Sequence, residues 1–554
     1  MSAMNAANAD VLVAGAGIGG LTAALSLHAA GIGVRVIEPV QVLRPVGVGI
    51  NLLPHAVREL TELGLGEQLA ATGVATAQMV HYDRHGNRIW GEPRGHALGY
   101  HWPQYSIHRG ALQMILLDAV RERLGERAVV TGTSFVRCAE TEGQLLRVIL
   151  RDMARGREHA VRVRALIGAD GLYSTVRARL HPGEGPPLWN GIRMWRGVAE
   201  WDPVLGGRTV AIAGSNAHAK LVVYPISGEA ERRGRALLNW VAEVRFPVEH
   251  GAISGAADWN RTGRLSDVLP YFAGWRIGDL DVPALLAATR RILEYPMVDR
   301  EPLPRWGRGP VTLLGDAAHP MYPVGSNGGS QAVLDARVLA RSLAVNDPDR
   351  VAGLRAYEEV RREATAALVL ANRRMPADRL LQVVAERAPE GFDRVEDVLT
   401  PEELAELDAA YRWTTGTDVA ELNGRGSWGW GRAPQGAPPG SPLRPLPGRS
   451  AHPDLRMRCD RFSIRSTSAR GCRHTFRGCS TGRAGQPFRN ASNWSSHQLG
   501  THAPDRHRKT ASKVTSGASP SSIVMRTRMS GCSLGLVIDS RQGGKCTKSS
   551  ERFQ

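Results

Sequence analysis

The segment Gly15-Ala16-Gly17-Ile18-Gly19-Gly20 constrains the fold more than any other part of the sequence. It fits the pattern G-x-G-x-x-G and sits between two kinds of periodicity. Asp10–Ala14 before it and Val34–Glu38 after it are short apolar runs of strand type. Gly20–Ala30 between them reads as an amphipathic helix. In such a β-α-β unit Gly15 permits the tight turn. Gly17 lets the backbone approach a pyrophosphate, and Gly20 lets helix and strand pack closely. The N–H groups from Gly17 through Ile18 and Gly19 open the helix and face an anion. Glu38 ends the second strand, placed to accept hydrogen bonds from ribose hydroxyls. A glycine-rich turn alone could belong to any α/β domain; strand, helix and acid in register predict a dinucleotide site. The motif does not separate NAD from FAD.

Two further motifs narrow the choice. Gly168-Ala169-Asp170-Gly171, followed by Ser174, Val176 and Arg177, comes after the apolar run Arg164–Ile167. Gly315-Asp316-Ala317-Ala318-His319-Pro320 comes after Val311–Leu314 and leads into Pro323-Val324-Gly325-Ser326-Asn327-Gly328-Gly329. A carboxylate at a strand end can bind a ribityl hydroxyl of a flavin. A glycine-rich segment opening a helix beside it turns N–H groups toward the pyrimidine edge, which gains negative charge on reduction. Helical periodicity is expected over Ala111–Leu124 and Gly329–Ala344. From Gly191 to Val244 the pattern is β-rich, as in Leu221–Ile226 and Ala236–Val244, and predicts a second sheet inserted into the first fold.

Together these motifs resemble the class A flavoprotein monooxygenases of the para-hydroxybenzoate hydroxylase fold, and among them the 5-methylphenazine-1-carboxylate 1-monooxygenase group. Arg44-Pro45-Val46-Gly47-Val48-Gly49-Ile50-Asn51, Pro103-Gln104-Tyr105-Ser106-Ile107-His108-Arg109-Gly110 and Met194-Trp195-Arg196-Gly197 carry the likeness. Tyr295-Pro296-Met297-Val298-Asp299-Arg300 and Trp306-Gly307-Arg308-Gly309 continue it, over roughly residues 8–375. The resemblance implies an α/β protein: a Rossmann-like FAD-binding domain (8–75, 100–180 and 285–375) with an inserted mixed β-sheet substrate domain (76–99 and 181–284). It implies Arg44, Val48, Gly49 and Arg109 near the FAD, Asp316 on its ribityl chain, and Gly325, Asn327, Gly328 and Gly329 beneath its ring. Asp170 is tied by it to both FAD and NAD(P)H, with Arg177 as a supporting ion-pair former. The activity implied is hydroxylation of an aromatic or N-heteroaromatic carboxylate with NAD(P)H and O2 through a flavin C4a-hydroperoxide, with or without loss of the carboxyl group. An epoxidase or a dehydrogenase on the same fold is the alternative. Arg196, Tyr224 and Tyr322 are the expected substrate contacts, Arg196 suiting a carboxylate, although it could equally pair with an acid in the sheet. A single dinucleotide fingerprint implies that NAD(P)H binds transiently, and nothing separates NADH from NADPH.

Composition sets the outer limits. At 554 residues the chain is too long for one compact core. Its formal charge of +17 is unevenly spread: residues 1–432 hold 49 basic and 48 acidic side chains, while Ala433–Gln554 holds 21 and 5. Five of the six cysteines and four of the five lysines also lie in that tail; the body has Cys138 and Lys220. The tail's Ser, Arg, Thr and Pro content predicts disorder, with its scattered charges giving no specific nucleic-acid site. Residues 376–432 read as a helical extension. No apolar run approaches the roughly 18 residues of a membrane span, and Met1–Asp10 has no secretory pattern. The expectation is a cytoplasmic monomer or homodimer without a membrane partner. No Cys/His/carboxylate cluster of the body has metal-ligand spacing, and no G-x-S-x-G elbow occurs.

Overall fold

The computed structural model describes residues 10–140, 145–246, 251–252, 261–406 and 418–428, with the strands Arg526–Met529 and Cys532–Gly535. From the N-terminus run β1 (Val11–Ala14), α1 (Ile18–Ala29), β2 (Val34–Glu38), β3 (Gly49–Leu52), β4 (Gln78–Tyr82), β5 (Arg88–Pro93), β6 (Gln104–His108), α2 (Arg109–Leu124), β7 (Val129–Thr131) and β8 (Ala165–Gly168). There follow β9 (Leu188–Trp201), β10 (Thr209–Gly214), β11 (Ala219–Pro225), β12 (Ala236–Arg245), β13 (Leu293–Asp299), β14 (Val311–Leu313), α3 (Asn327–Val345), α4 (Arg350–Arg373) and α5 (Pro376–Arg387).

The first sheet has the order β14-β8-β1-β2-β7 and is parallel throughout. Buried on both faces, its strands read as continuous apolar runs, with all four residues of β1 and of β8 enclosed. α1 departs from the amphipathic pattern: every residue from Gly20 to Leu27 is buried. The cause is its place against both the sheet and α3. A Cβ on Gly19 would meet Leu314 Cδ2 at 2.7 Å and Ala332 Cβ at 3.3 Å, so over its first turns the helix is closely covered. α2 and α3 each begin two residues earlier than their periodicity indicates; at α2 a cap sets the boundary, His108 accepting a hydrogen bond from the Ala111 N–H.

The second sheet is mixed. β9, β12, β11 and β10 pair antiparallel, β10 pairs parallel with β4, and β4 pairs with β5. β13, in a segment expected to lie with the FAD-binding part, pairs with β9 and so belongs to this sheet. Alternation divides its side chains. Trp195, Leu221, Val223, Trp240 and Val244 face a core covered by the helices Leu265–Val268 and Val282–Ala287. Met194, Tyr224, Val241 and Tyr295 face the other way and pack with Val48, Tyr322 and Val324.

The extension after α4 is attached to the sheet. Leu380, Leu381 and Val384 of α5 pack on Ile89, and Asp378 meets the Lys220 ammonium at 2.7 Å, with Glu243 at 2.9 Å from the same nitrogen. The segment 418–428 docks separately: Ser427 Oγ and the Trp428 N–H donate to the buried Glu59 carboxylate, which also takes a hydrogen bond from Arg337. Residues 450–554 form a second unit, in which Arg526–Met529 pairs antiparallel with Cys532–Gly535. The rest of 429–554, on which the expectation of a disordered tail falls, lies outside the described residues.

Candidate active site

The turn after β1 has the conformation its glycines imply. Gly15 has φ +111°, and a Cβ there would lie 2.3 Å from the Ala169 carbonyl oxygen of the neighbouring strand end. A Cβ on Gly20 would lie 2.0 Å from the Gly15 oxygen, the close helix–strand approach expected of it. At Gly17 a Cβ would meet no atom within 4 Å, so the space before the first turn of α1 is open. The Glu38 carboxylate is partly engaged: it accepts the Ala16 N–H at 2.8 Å and the Val40 N–H at 3.1 Å, tying the end of β2 to the glycine turn. Gln113 Nε2 donates to the Ala16 carbonyl at 2.7 Å from the α2 side. Arg109 lies one helical turn before Gln113 and is exposed. The Arg44-Pro45 loop packs on the same helix end, where a Cβ on Gly110 would meet Pro45 C and Val46 N at 2.5 Å; Arg44 is exposed as well. The structure therefore gathers Gly17, Ile18, Glu38, Arg44 and Arg109 around one open edge.

Asp170 has a different surrounding. Its carboxylate accepts from the Ser174 hydroxyl, the Thr175 N–H at 2.7 Å and the Val176 N–H at 3.2 Å, capping the short helix Thr175–Leu180. Burial pushes its pKa above the usual carboxylate value despite these bonds. Arg177 is buried and donates to Glu184, to the carbonyls of Ala317 at 3.0 Å and Ala318 at 2.8 Å, and to Glu301 O at 3.2 Å. It thus staples the Asp170 turn to the Asp316 turn.

The Asp316 turn is also held from beneath by residues that sequence reasoning missed. Asp335 on α3 accepts from the Gly315 N–H at 3.0 Å, from Arg361 Nε at 2.7 Å, and pairs with His319 Nε2 at 2.6 Å. Burial alone would raise the Asp335 carboxyl; His319 and Arg361 overcome it and hold the pKa at about 2. Asp335 falls on an apolar helical stretch, where a lone acid gives no signal of its partners. Asp316 itself is exposed at the strand end, its Oδ1 3.9 Å from where a Gly328 Cβ would be. Gly325 has φ +67° and Ser326 φ +60°, so the chain doubles back into the N-terminus of α3 at Asn327, Gly328 and Gly329. Asn51 Nδ2 donates to Ser326 Oγ at 3.3 Å, and a Cβ on Gly329 would sit 3.8 Å from Ile50. β3 therefore borders the glycine segment.

β3 also borders the mixed sheet. The Gly49 N–H donates to Asn239 Oδ1 at 2.7 Å, and Arg196 Nη2 donates to the Gly49 carbonyl at 2.8 Å. Burial keeps the Tyr224 hydroxyl above the ordinary tyrosine pKa, although the positive charge of Arg196 opposes the shift. Burial, and then Asp299, raise Tyr322 as well. Tyr224 and Tyr322 pack in one cluster with Val48, and Arg196 lies on the same face of β9 as Met194 of that cluster. Asn239, which no motif flags, joins them.

The residues fit FAD: an open cradle at Gly17 before a helix N-terminus, an acid and two arginines at its edge, and a second helix N-terminus beside an exposed aspartate at a strand end. The FAD binding domain family matches residues 8–245 and 283–372. Phenazine 1,6-dicarboxylic acid hydroxylase of Lysobacter antibioticus is 52% identical over 370 residues, 66% of this chain and 90% of that protein. 3-Hydroxybenzoate 6-hydroxylase of Polaromonas naphthalenivorans is 32% identical over 387 residues, 67% of this chain and 88% of its own. Among solved structures, Klebsiella pneumoniae HpxO complexed with FAD and uric acid superposes with a TM-score of 0.55 at 27% identity, covering 75% of this chain and 95% of that one. The chain belongs to the FAD-binding-domain family and, within it, to the FAD-dependent aromatic monooxygenases.

Proposed function

We propose that this enzyme hydroxylates an N-heteroaromatic carboxylate of the phenazine type, with NAD(P)H and O2 as cosubstrates. One observation carries the reading: β3 is shared. Its Ile50 side touches the glycine segment that would face the flavin ring, and its Gly49 is gripped by Arg196 and Asn239 of the sheet. A ring held on that sheet face lies against the flavin edge. The likeness to the Lysobacter hydroxylase supports a phenazine-sized acid.

FAD, when bound, supplies electron transfer from NAD(P)H and activation of O2. The chain's own residues supply position and enclosure. Gly17, Ile18 and the following amides would hold the pyrophosphate, Glu38 the ribose through the lone pairs that Ala16 and Val40 leave free, and Asp316 a ribityl hydroxyl. The N-terminus of α3, with Gly325, Asn327, Gly328 and Gly329, would stabilise negative charge on the ring. Arg44 and Arg109 would close the phosphate edge. Asp170 would act through the turn it caps. Val48, Tyr322 and Val324 would keep water from the reacting face, and Tyr224, held protonated by burial, would donate from its hydroxyl.

In this division of labour residues 8–75, 100–180 and 285–375 bind FAD, and 76–99 and 181–284 bind substrate, with β13 completing the substrate sheet. The enzyme would work in the cytoplasm as a monomer or homodimer; among the described residues no helix is long and apolar enough to cross a membrane. Phenazine-1-carboxylate or phenazine-1,6-dicarboxylate should stimulate NAD(P)H oxidation by the purified yellow protein and return a product containing an added hydroxyl. NAD(P)H oxidation indifferent to both acids would rule the reading out.

A further inference from the structure

Asn239 is fully enclosed on β12, directly opposite Tyr224 of β11. Its Oδ1 accepts the Gly49 N–H. A backbone N–H can only donate, so the side-chain oxygen must lie on that side and the NH2 on the other; chemistry settles the orientation of the amide. That Nδ2 has no hydrogen-bond partner among the described residues. Arg196 repeats the arrangement. Its Nη2 donates to the Gly49 carbonyl, while its Nε is buried with no partner. Arg196 stands opposite Val241, two residues from Asn239, so both side chains share one face of the sheet.

Buried donors left without acceptors are uncommon and costly in a folded protein. Two of them, on neighbouring strands, both held through the same glycine, form an organised pair of donors. Beside them the face is apolar, with Met194, Val222 and Val241. A flat ring would lie on that strip, and a group rich in acceptors at its rim would meet the two donors. One donor is neutral and the other cationic, which suits an anion with two oxygens.

We propose that Asn239 is a substrate-binding residue, whose Nδ2 together with Arg196 Nε receives the carboxylate of the aromatic acid. This rests on the aromatic-acid reading above and assigns the recognition of its carboxylate. A role limited to holding Gly49 would need only Oδ1; a role in recognition needs Nδ2.

Asn239→Asp separates the two. The aspartate keeps an oxygen for the Gly49 N–H, removes the donor and sets a negative charge beside the incoming carboxylate. In the FAD-loaded variant the Kd for phenazine-1-carboxylate, read from the perturbation of the flavin spectrum, should rise at least about tenfold. The Kd for unsubstituted phenazine should stay within about twofold. Unchanged acid affinity in a flavin-replete Asn239→Asp protein overturns the assignment. If that variant does not retain FAD, the parent enzyme decides: it must bind the acid at least about tenfold more tightly than phenazine, and equal affinities overturn the proposal. A parent enzyme that binds neither compound overturns the aromatic-acid reading itself, an outcome distinct from losing Asn239 alone.

Discussion

At the scale of single residues, enclosed ionisable groups are handled in different ways. Arg177 and Asp335 are each bonded to the turns that carry the FAD-site motifs. His55 and His81 are held neutral. Both are enclosed, and burial, followed by Arg425 and Arg361 at His55 and by Arg94 and Lys220 at His81, takes each from an ordinary value of 6.5 to about 3. A base whose folded pKa is lowered binds its proton in the unfolded chain first. Its contribution is therefore fully present above pH 6.5 and is lost progressively as pH falls toward 3. Each histidine adds about 1.4 kcal/mol per pH unit in that window. Denaturant titrations at pH 7 and pH 5 should differ by about 4 kcal/mol, and His55→Leu and His81→Leu should each remove about half of the difference. Equal stability at the two pH values would contradict the burial of both rings as neutral bases.

At the scale of elements, the glycine turn before α1 makes two glycines of one motif experimentally distinct. Gly20 is needed by the fold, since its Cβ would strike the Gly15 oxygen at 2.0 Å. Gly17 faces open space, so a side chain there harms the ligand and not the packing. Gly17→Val should give a folded protein with a near-normal melting temperature and little FAD, whereas Gly20→Val should fail to accumulate as soluble protein. Comparable flavin content in Gly17→Val and the parent would remove the pyrophosphate from this turn. The difference between these glycines shows what the sequence could tell. The β-α-β unit, the three motifs and the strand-rich middle were all legible, because periodicity and turn chemistry act over short distances. β13 was not assigned to the substrate sheet, because its pairing with β9 joins residues about a hundred positions apart. Asn239, Asp335 and Gln113 were missed for the same reason: each acts on a backbone atom brought to it only by the fold. Asp170 was legible as a motif residue, but its engagement in capping was not.

At the scale of the molecule, the segment 418–428 is bound into the body. Glu59 has no solvent exposure and depends on Arg337, Ser427 and Trp428; Arg58 Nη1 reaches the Leu422 carbonyl at 3.2 Å. A chain ending at Trp430 should keep its FAD, its melting temperature and its substrate-stimulated NAD(P)H oxidation, while losing most of the net positive charge. Ending it at Gly416 should strip Glu59 of two of its three partners and cost about 2–4 kcal/mol, seen as a lower denaturation midpoint. Loss of flavin in the longer chain would show that Ala433–Gln554 contributes to the body after all.

The central claim is that this body transfers an atom of molecular oxygen to an aromatic acid lying between β3 and the mixed sheet. Turnover of phenazine-1-carboxylate with NAD(P)H under ¹⁸O2 in unlabelled water tests it most directly. One ¹⁸O atom is expected in the hydroxylated product, and none when the label is carried by water instead. A product whose new oxygen comes from water would contradict it, and would point to dehydrogenation followed by hydration.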